Sequence, residues 1–287
     1  MRNRESSATA LVILRGQVFV SRDPRFGALM NRPWVETCER FLRASDPGAE
    51  TYLRRVGQPW YRALHRAAER ALVPGITLHY VVRKRHIEDQ VRKALADGFQ
   101  RVIVIGAGFD TLCSRLKREL PRAAFVEVDH PATQEAKAKI ADLGCDLVPV
   151  DLARDSLSDK LPLGDGKRTV FVLEGVTMYL AQERVESVLR YVRERGGPGS
   201  RVVFTFMEPD QQGRLRFQKA SPLVHLWLQR KGEPFTWGLP RGGLPAFLEP
   251  LGLRALEIVD GEVLRARYLK TDDALAPGEC IAVAEAM

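Results

Sequence analysis

One apolar run ends in three residues that could carry chemistry. The segment RVIVIGAGFDTLCSRL (101–116) strings together Val102, Ile103, Val104 and Ile105, breaks on Gly106 and Gly108, and sets Asp110 immediately after them. Glycines directly after a strand and before a helix let the chain turn tightly and bring its backbone close to a ligand at the helix N-terminus. A dinucleotide fingerprint calls for a third glycine at position 111, where this chain has Thr111. Asp110 would also repel a pyrophosphate, whereas a cofactor bearing a cationic sulfonium and an ammonium group tolerates or welcomes it. Its structural alternative is to cap the following helix.

Further acids stand at matching places. Asp129 ends the strand-like AFVEVD, twenty-one residues after Gly108, where a carboxylate can accept both hydroxyl hydrogens of an adenosine ribose. Glu127 shares its face but lies deeper. Glu174 ends TVFVLE and precedes Gly175, at the carboxyl edge of a central strand, where open α/β sheets bind ligands. Asp151, after LVPV, reads by itself as a helix cap before LARDSL. Ile76, Tyr80, Arg83, Ile87 and Val91 recur at threes and fours, so Arg83 interrupts an apolar helical stripe and needs an anion, from the protein or from a ligand. Lys84 and Arg85 fall off that stripe, and the pairs Arg85 with Asp89 and Glu88 with Arg92 have the spacing of solvated ion pairs one turn apart. Tyr179, in GVTMYL, is either core beside Met178 and Leu180 or a hydrogen-bond donor to an acceptor. None of His79, His130 and His225 has the setting of a general base.

The elements that must position these residues alternate. Up to about residue 98 the pattern is helical, as in Val35, Cys38, Phe41 and Leu42. Thereafter RVIVI, AFVEVD, CDLVPV, TVFVLE and RVVFTFM alternate with LCSRLKREL, ATQEAKAKIADL and AQERVESVLRYVRER. This predicts an α/β, Rossmann-like, mostly parallel sheet with helices on both faces. We therefore expect an N-terminal helical cap (1–98) and a Rossmann-like domain (99–287) with a lid insertion (208–241) after the fifth strand. RALEIVD and ECIAVAEA are expected to close the sheet as an antiparallel edge pair.

A chain of 287 residues, 45% hydrophobic and 28% charged, can bury a sizeable core. Its net charge of +8 raises the question of nucleic acid, but the arginines are dispersed and the densest run, VRKRH (82–86), is short, so no nucleic-acid partner is expected. Cys38, Cys113, Cys145 and Cys280 show no ligand spacing, which predicts buried reduced thiols and no metal. The first twenty residues fail as a signal peptide and no run reaches bilayer length, so a cytoplasmic enzyme without a membrane partner is expected.

The stretches RKRHIED, VIGAGFDT, EVDHPATQEAK, VPVDL and LEGVTMYL resemble, in order from about residue 76 to 209, the leucine carboxyl methyltransferase family. The resemblance implies S-adenosylmethionine as cofactor, with Arg83 on its carboxylate and Glu174 facing its amino group. Asp151 with Leu152 would meet the adenine, and Gly106, Gly108, Asp110 and Asp129 would complete the pocket. It implies an O-methyltransferase acting on a carboxylate of a small molecule or peptide, with Tyr179 orienting the acceptor. A phenolic acceptor, which would need a base, and an RNA acceptor are the alternatives.

Overall fold

The computed structural model describes residues 8–140 and 143–287. Five helices come first: α1 (Ala8–Ser21), α2 (Arg32–Ser45), α3 (Ala49–Val56), α4 (Pro59–Leu72) and α5 (Ile76–Ala96). Asn31 accepts a hydrogen bond from the Trp34 amide (3.0 Å), and Pro33 follows in the first turn, which together start α2. Trp34, Cys38, Phe41 and Leu42 of α2 are buried, while Val35 is half-buried.

Strands and helices then alternate: β1 (Arg101–Ile105), α6 (Leu112–Glu119), β2 (Ala124–Asp129), α7 (Pro131–Ala138), β3 (Asp146–Pro149), α8 (Leu157–Lys160), β4 (Thr169–Leu173), α9 (Gln182–Arg195) and β5 (Arg201–Met207). α10 (Pro222–Lys231), α11 (Leu244–Leu248), β6 (Leu253–Val259), α12 (Gly261–Tyr268) and β7 (Glu279–Ala286) complete the chain. The helix expected over ATQEAKAKIADL is shorter, ending at Ala138; Ala141 and Asp142 lie outside the described residues.

The sheet runs β3-β2-β1-β4-β5-β7-β6. β1 to β5 are mutually parallel, and β7 is antiparallel to both β5 and β6. The closing pair is antiparallel as the sequence suggests, but β7 lies inside the sheet and only β6 forms the edge. Its composition accounts for this: Cys280, Ile281, Ala282, Val283 and Ala284 are all buried, as an interior strand requires.

Both faces are covered. Val102 and Val104 join one core with α1, α2 and α5, whereas Ile103 and Ile105 join a second core with α9 and α11. The strand order reverses direction between β1 and β4, so the chain diverges there and leaves a crevice at the carboxyl ends of the two strands. Gly106 and Glu174 immediately follow those ends.

Candidate functional site

The crevice opens into a cavity of about 470 Å³. The residues expected to hold the cofactor or orient the acceptor all line it: Arg83, Gly106, Gly108, Asp110, Asp129, Asp151, Leu152, Glu174 and Tyr179. The turn after β1 depends on backbone that side-chain-bearing residues resist. Gly106 has φ +73°, and a Cβ there would stand 2.3 Å from Val176 Cγ2. Gly108 has φ +48°, and its amide donates to Asp129 Oδ2 at 2.5 Å.

An array of charges forms one end. α5 carries Arg83 into the interior, 3% exposed, where its Nε donates to Glu174 Oε1 (2.9 Å) and its Nη1 to both oxygens of Glu279 (2.9 and 2.8 Å). The anion that Arg83 requires is thus supplied within the protein, twice over. Lys84, expected to miss the inner stripe, is half-buried and turned inward as well: its Nζ donates to Glu174 Oε2 (3.0 Å) and to Asp110 Oδ2. The reason is the width of the buried arc, since Val81, Val82, Arg83, His86, Ile87 and Glu88 are all enclosed. Glu88 also departs from the expected solvated pair. It keeps Arg92 (2.7 Å), but it is buried and also holds Arg115 at 2.6 Å. Arg85 and Asp89 form the expected exposed pair at 3.2 Å.

Glu279, at the start of β7, and His79, one turn before Arg83, were not anticipated. His79 Nε2 lies 2.8 Å from Glu279 Oε2. Burial pushes the Glu279 carboxyl up, but the Arg83 charge and the His79 contact outweigh it and hold the group down at about 2. Asp110 is likewise depressed: burial raises it, and the Lys84 ammonium and the Leu112 amide (2.5 Å) prevail. Asp110 thus stands one residue before Thr111, the N-cap of α6, and receives the amide of the helix's first residue while also facing the cavity. Lys137 ties the floor together, donating to the Asp110 carbonyl (2.7 Å) and pairing with buried Glu127 (2.5 Å).

Asp129 closes β2 with both oxygens engaged by backbone amides, Gly108 at 2.5 Å and His130 at 2.6 Å. Its pKa is raised, because burial outweighs those amides. The Thr133 side chain also bonds this carboxylate, whose two oxygens can accept about four hydrogen bonds in all and so keep capacity to spare. Asp151 accepts from the Ala153 amide at 3.0 Å in a turn, not at a helix start: α8 begins later, at Leu157, with Ser156 at its N-cap. Leu152 is half-buried against the second core.

Aromatic rings adjoin this array, the Arg83 guanidinium lying 5.1 Å from the Tyr80 ring and His79 lying 6.0 Å from Phe217. Tyr179 ends a single 3₁₀ turn, Thr177–Tyr179, and its ring lies 5.5 Å from that of Phe235. Phe217 stacks edge-on to Phe235 at 5.9 Å, and Tyr80 also lines the cavity. Burial pushes both phenols up. The Tyr179 hydroxyl has no hydrogen-bond partner among the described residues. From the stretch 208–241, Phe217, Gly232, Glu233, Pro234 and Thr236 line the wall, and the Thr236 amide donates to the Met178 carbonyl (2.7 Å). α1 closes the remaining side with Thr9, Ala10, Ile13 and Gln17, and the Thr9 hydroxyl donates to Glu233 Oε2 at 2.5 Å. The four cysteines are free thiols; Cys38, Cys113 and Cys280 are buried, whereas Cys145 is only half-buried, so the expectation of a buried thiol fails there.

Comparison with known proteins sets this geometry in context. The family model described as leucine carboxyl methyltransferase matches residues 36–193. A Mycobacterium tuberculosis protein bearing the name "Putative S-adenosyl-L-methionine-dependent methyltransferase" is 24% identical over 208 residues, 69% of this chain and 64% of its own length. A Bacillus subtilis protein of the same name, YktD, is 30% identical over 138 residues, 45% of each chain. The chain thus spans less than two thirds of the length of these relatives. Among solved structures, a "putative methyltransferase" from Thermobifida fusca YX superposes with a TM-score of 0.55 at 15% identity, covering 86% of this chain and 94% of that one, a likeness of fold.

Proposed function

The chain belongs to the leucine carboxyl methyltransferase family, and from that premise we propose that the cavity binds S-adenosyl-L-methionine and directs its methyl group to an oxygen of an acceptor beside Tyr179. One observation carries the reading: Arg83, Lys84, Asp110 and Glu174 face the same enclosed space as the Gly106 turn and Asp129. A volume of about 470 Å³ lies within the roughly 300–1,000 Å³ of small-molecule sites. Around the methionine end, Arg83 and Lys84 are set against Asp110, Glu174 and Glu279, leaving one negative charge in excess. That excess suits a donor whose sulfonium and ammonium outnumber its carboxylate.

In this reading Lys84 and the outer N–H of Arg83 hold the donor's carboxylate, and Glu174 with Asp110 receives its ammonium. The spare lone pairs of Asp129 accept the ribose hydroxyls, and Asp151 and Leu152 flank the adenine. When bound, the sulfonium supplies an electrophilic methyl and departs as a neutral thioether. The protein's share is orientation and exclusion of water by α1 and the 208–241 stretch; near-attack positioning of this kind is worth about 7–11 kcal/mol.

For the acceptor, we favour a carboxylate of a small molecule or peptide, because it is ionised at neutral pH and needs no base. Tyr179, kept protonated by burial, is suited to donate a hydrogen bond to it. A phenolic acceptor is the second reading, favoured by buried Glu233 in the cavity wall, a carboxylate that would attract a hydroxyl and repel an anion. Titration calorimetry with S-adenosylmethionine tests the donor assignment, and S-adenosylhomocysteine production across matched carboxylic acids and phenols tests the acceptor. Turnover of acids alone is expected; turnover of phenols alone overturns the carboxylate assignment, and absence of donor binding overturns the whole reading.

A further inference from the structure

α4 is folded with its polar side inward. Arg66 bonds Asp23 (2.6 Å), Arg62 lies 3.7 Å from the same carboxylate, His65 stacks on Phe19 at 4.0 Å, and Glu69 accepts from the Thr77 hydroxyl at 2.9 Å. The opposite face, Trp60, Ala63, Leu64, Ala67, Ala71 and Leu72, repeats at threes and fours and points outward. Trp60 and Leu64 are 59% and 61% exposed, and no residue of α4 is buried. α10 continues this surface. The Ser221 amide at its start donates to the Leu72 carbonyl (2.7 Å), and Leu223, Leu226 and Trp227 are exposed along one side. Exposed apolar faces on two helices joined end to start mark an interaction site.

The charges around it narrow the occupant. The side chains of Arg54, Arg55, Arg70, Lys219 and Arg230 are exposed and form no ion pair or hydrogen bond among the described residues. The acids of α3 and α4 are engaged elsewhere, Glu50 by Arg43 (2.8 Å) and Glu69 by Thr77. A second copy of this chain would oppose these same cations to each other on a molecule of net charge +8. An outward Trp and Leu face rimmed by arginine instead has the composition of a helix that lies in a lipid headgroup layer.

We propose that α4 and α10 together dock the protein onto an anionic lipid surface, the Trp and Leu side chains entering the headgroup boundary while the arginines meet lipid phosphates. No helix among the described residues is long and apolar enough to cross a membrane, and the docking requires none. The proposal goes beyond the expectation of no membrane partner, which was drawn from the lack of a spanning run. Gly232, Glu233 and Pro234 follow α10 and line the cavity, so docking holds that wall near the lipid.

Co-sedimentation of the full chain with phosphatidylcholine vesicles, with and without phosphatidylglycerol, tests the proposal. Binding is expected only with phosphatidylglycerol, to fall as salt rises, and to bring Trp60 within quenching reach of brominated acyl chains. Arg54→Gln/Arg55→Gln should weaken it roughly thirtyfold, what two such basic contacts supply. Trp60→Glu/Leu64→Glu, at exposed positions outside the cavity, should abolish it while the thermal melt and S-adenosylmethionine affinity are retained. Indifference to phosphatidylglycerol, or equal binding by that double variant, overturns the proposal. So does a dimer on light scattering that the double variant splits, which would assign the face to self-association, and so does a vesicle-inert monomer, which leaves an acidic protein as occupant.

Discussion

Replacing Glu174 with glutamine separates donor binding from folding. In the wild-type chain Glu174 Oε1 accepts from Arg83 and Oε2 from Lys84, but neither cation depends on it alone: Arg83 keeps Glu279 at 2.8 Å and Lys84 keeps Asp110. Glu174→Gln therefore leaves no buried charge without a partner, and the large cost of an orphaned ion does not arise. We expect a stability loss of about 1 kcal/mol, one ordinary hydrogen bond. The donor's ammonium, by contrast, loses a charge-assisted bond worth about 1.5–3 kcal/mol, which is roughly a 10- to 150-fold rise in Kd. Titration calorimetry with S-adenosylmethionine and S-adenosylhomocysteine, alongside thermal melts, reads both quantities. The two ligands should weaken in step, because both carry the ammonium. A Kd within twofold of wild type in a folded variant refutes the placement of Glu174, and a loss confined to S-adenosylmethionine would show that it faces the sulfonium instead.

Gly106→Ala should cost about 1–3 kcal/mol, since a Cβ at φ +73° is strained and meets the stiff Val176 side chain, and a thermal melt indistinguishable from wild type would contradict the packing described. Glu279 is depressed from its usual 4.5 to about 2, so its contribution to stability is complete above pH 4.5 and is lost as pH falls through 2; Glu279→Gln should flatten the acid-unfolding curve in that window, as circular dichroism would record. Burial pushes the thiols of Cys38, Cys145 and Cys280 up to about 12 and that of Cys113 well above its usual value. A thiol reagent at pH 8 should accordingly label the native chain far more slowly than the unfolded one, and rapid native labelling would count against these environments.

Strand ends were the most legible part of the sequence. Gly106, Asp129, Asp151 and Glu174 each follow or end a short apolar run, and parallel strands in register bring such ends to one edge. What escaped was whatever depends on partners distant in the chain. Lys84 lies one position from Arg83, so a helical stripe puts it aside, yet α5 is enclosed on more than one side and both cations reach the crevice. Glu279 opens ECIAVAEA, and its acidic start was the one available signal; its role depends on β7 pairing with β5 across Met207 and Glu279, which no local pattern reveals. α4 was harder still, because the periodicity of an apolar stripe is the same whether that stripe faces a core or the solvent.

The slotting of β7 between β5 and β6 has a temporal consequence. The carboxylate that grips Arg83 stands 196 residues further along the chain, so a ribosome must deliver all of those residues before that grip can form. Until then Arg83 lacks one of its two counter-ions. Closure of so long a loop is slow, and a nascent chain halted before β7 would lack both the strand and one of the two carboxylates that hold Arg83.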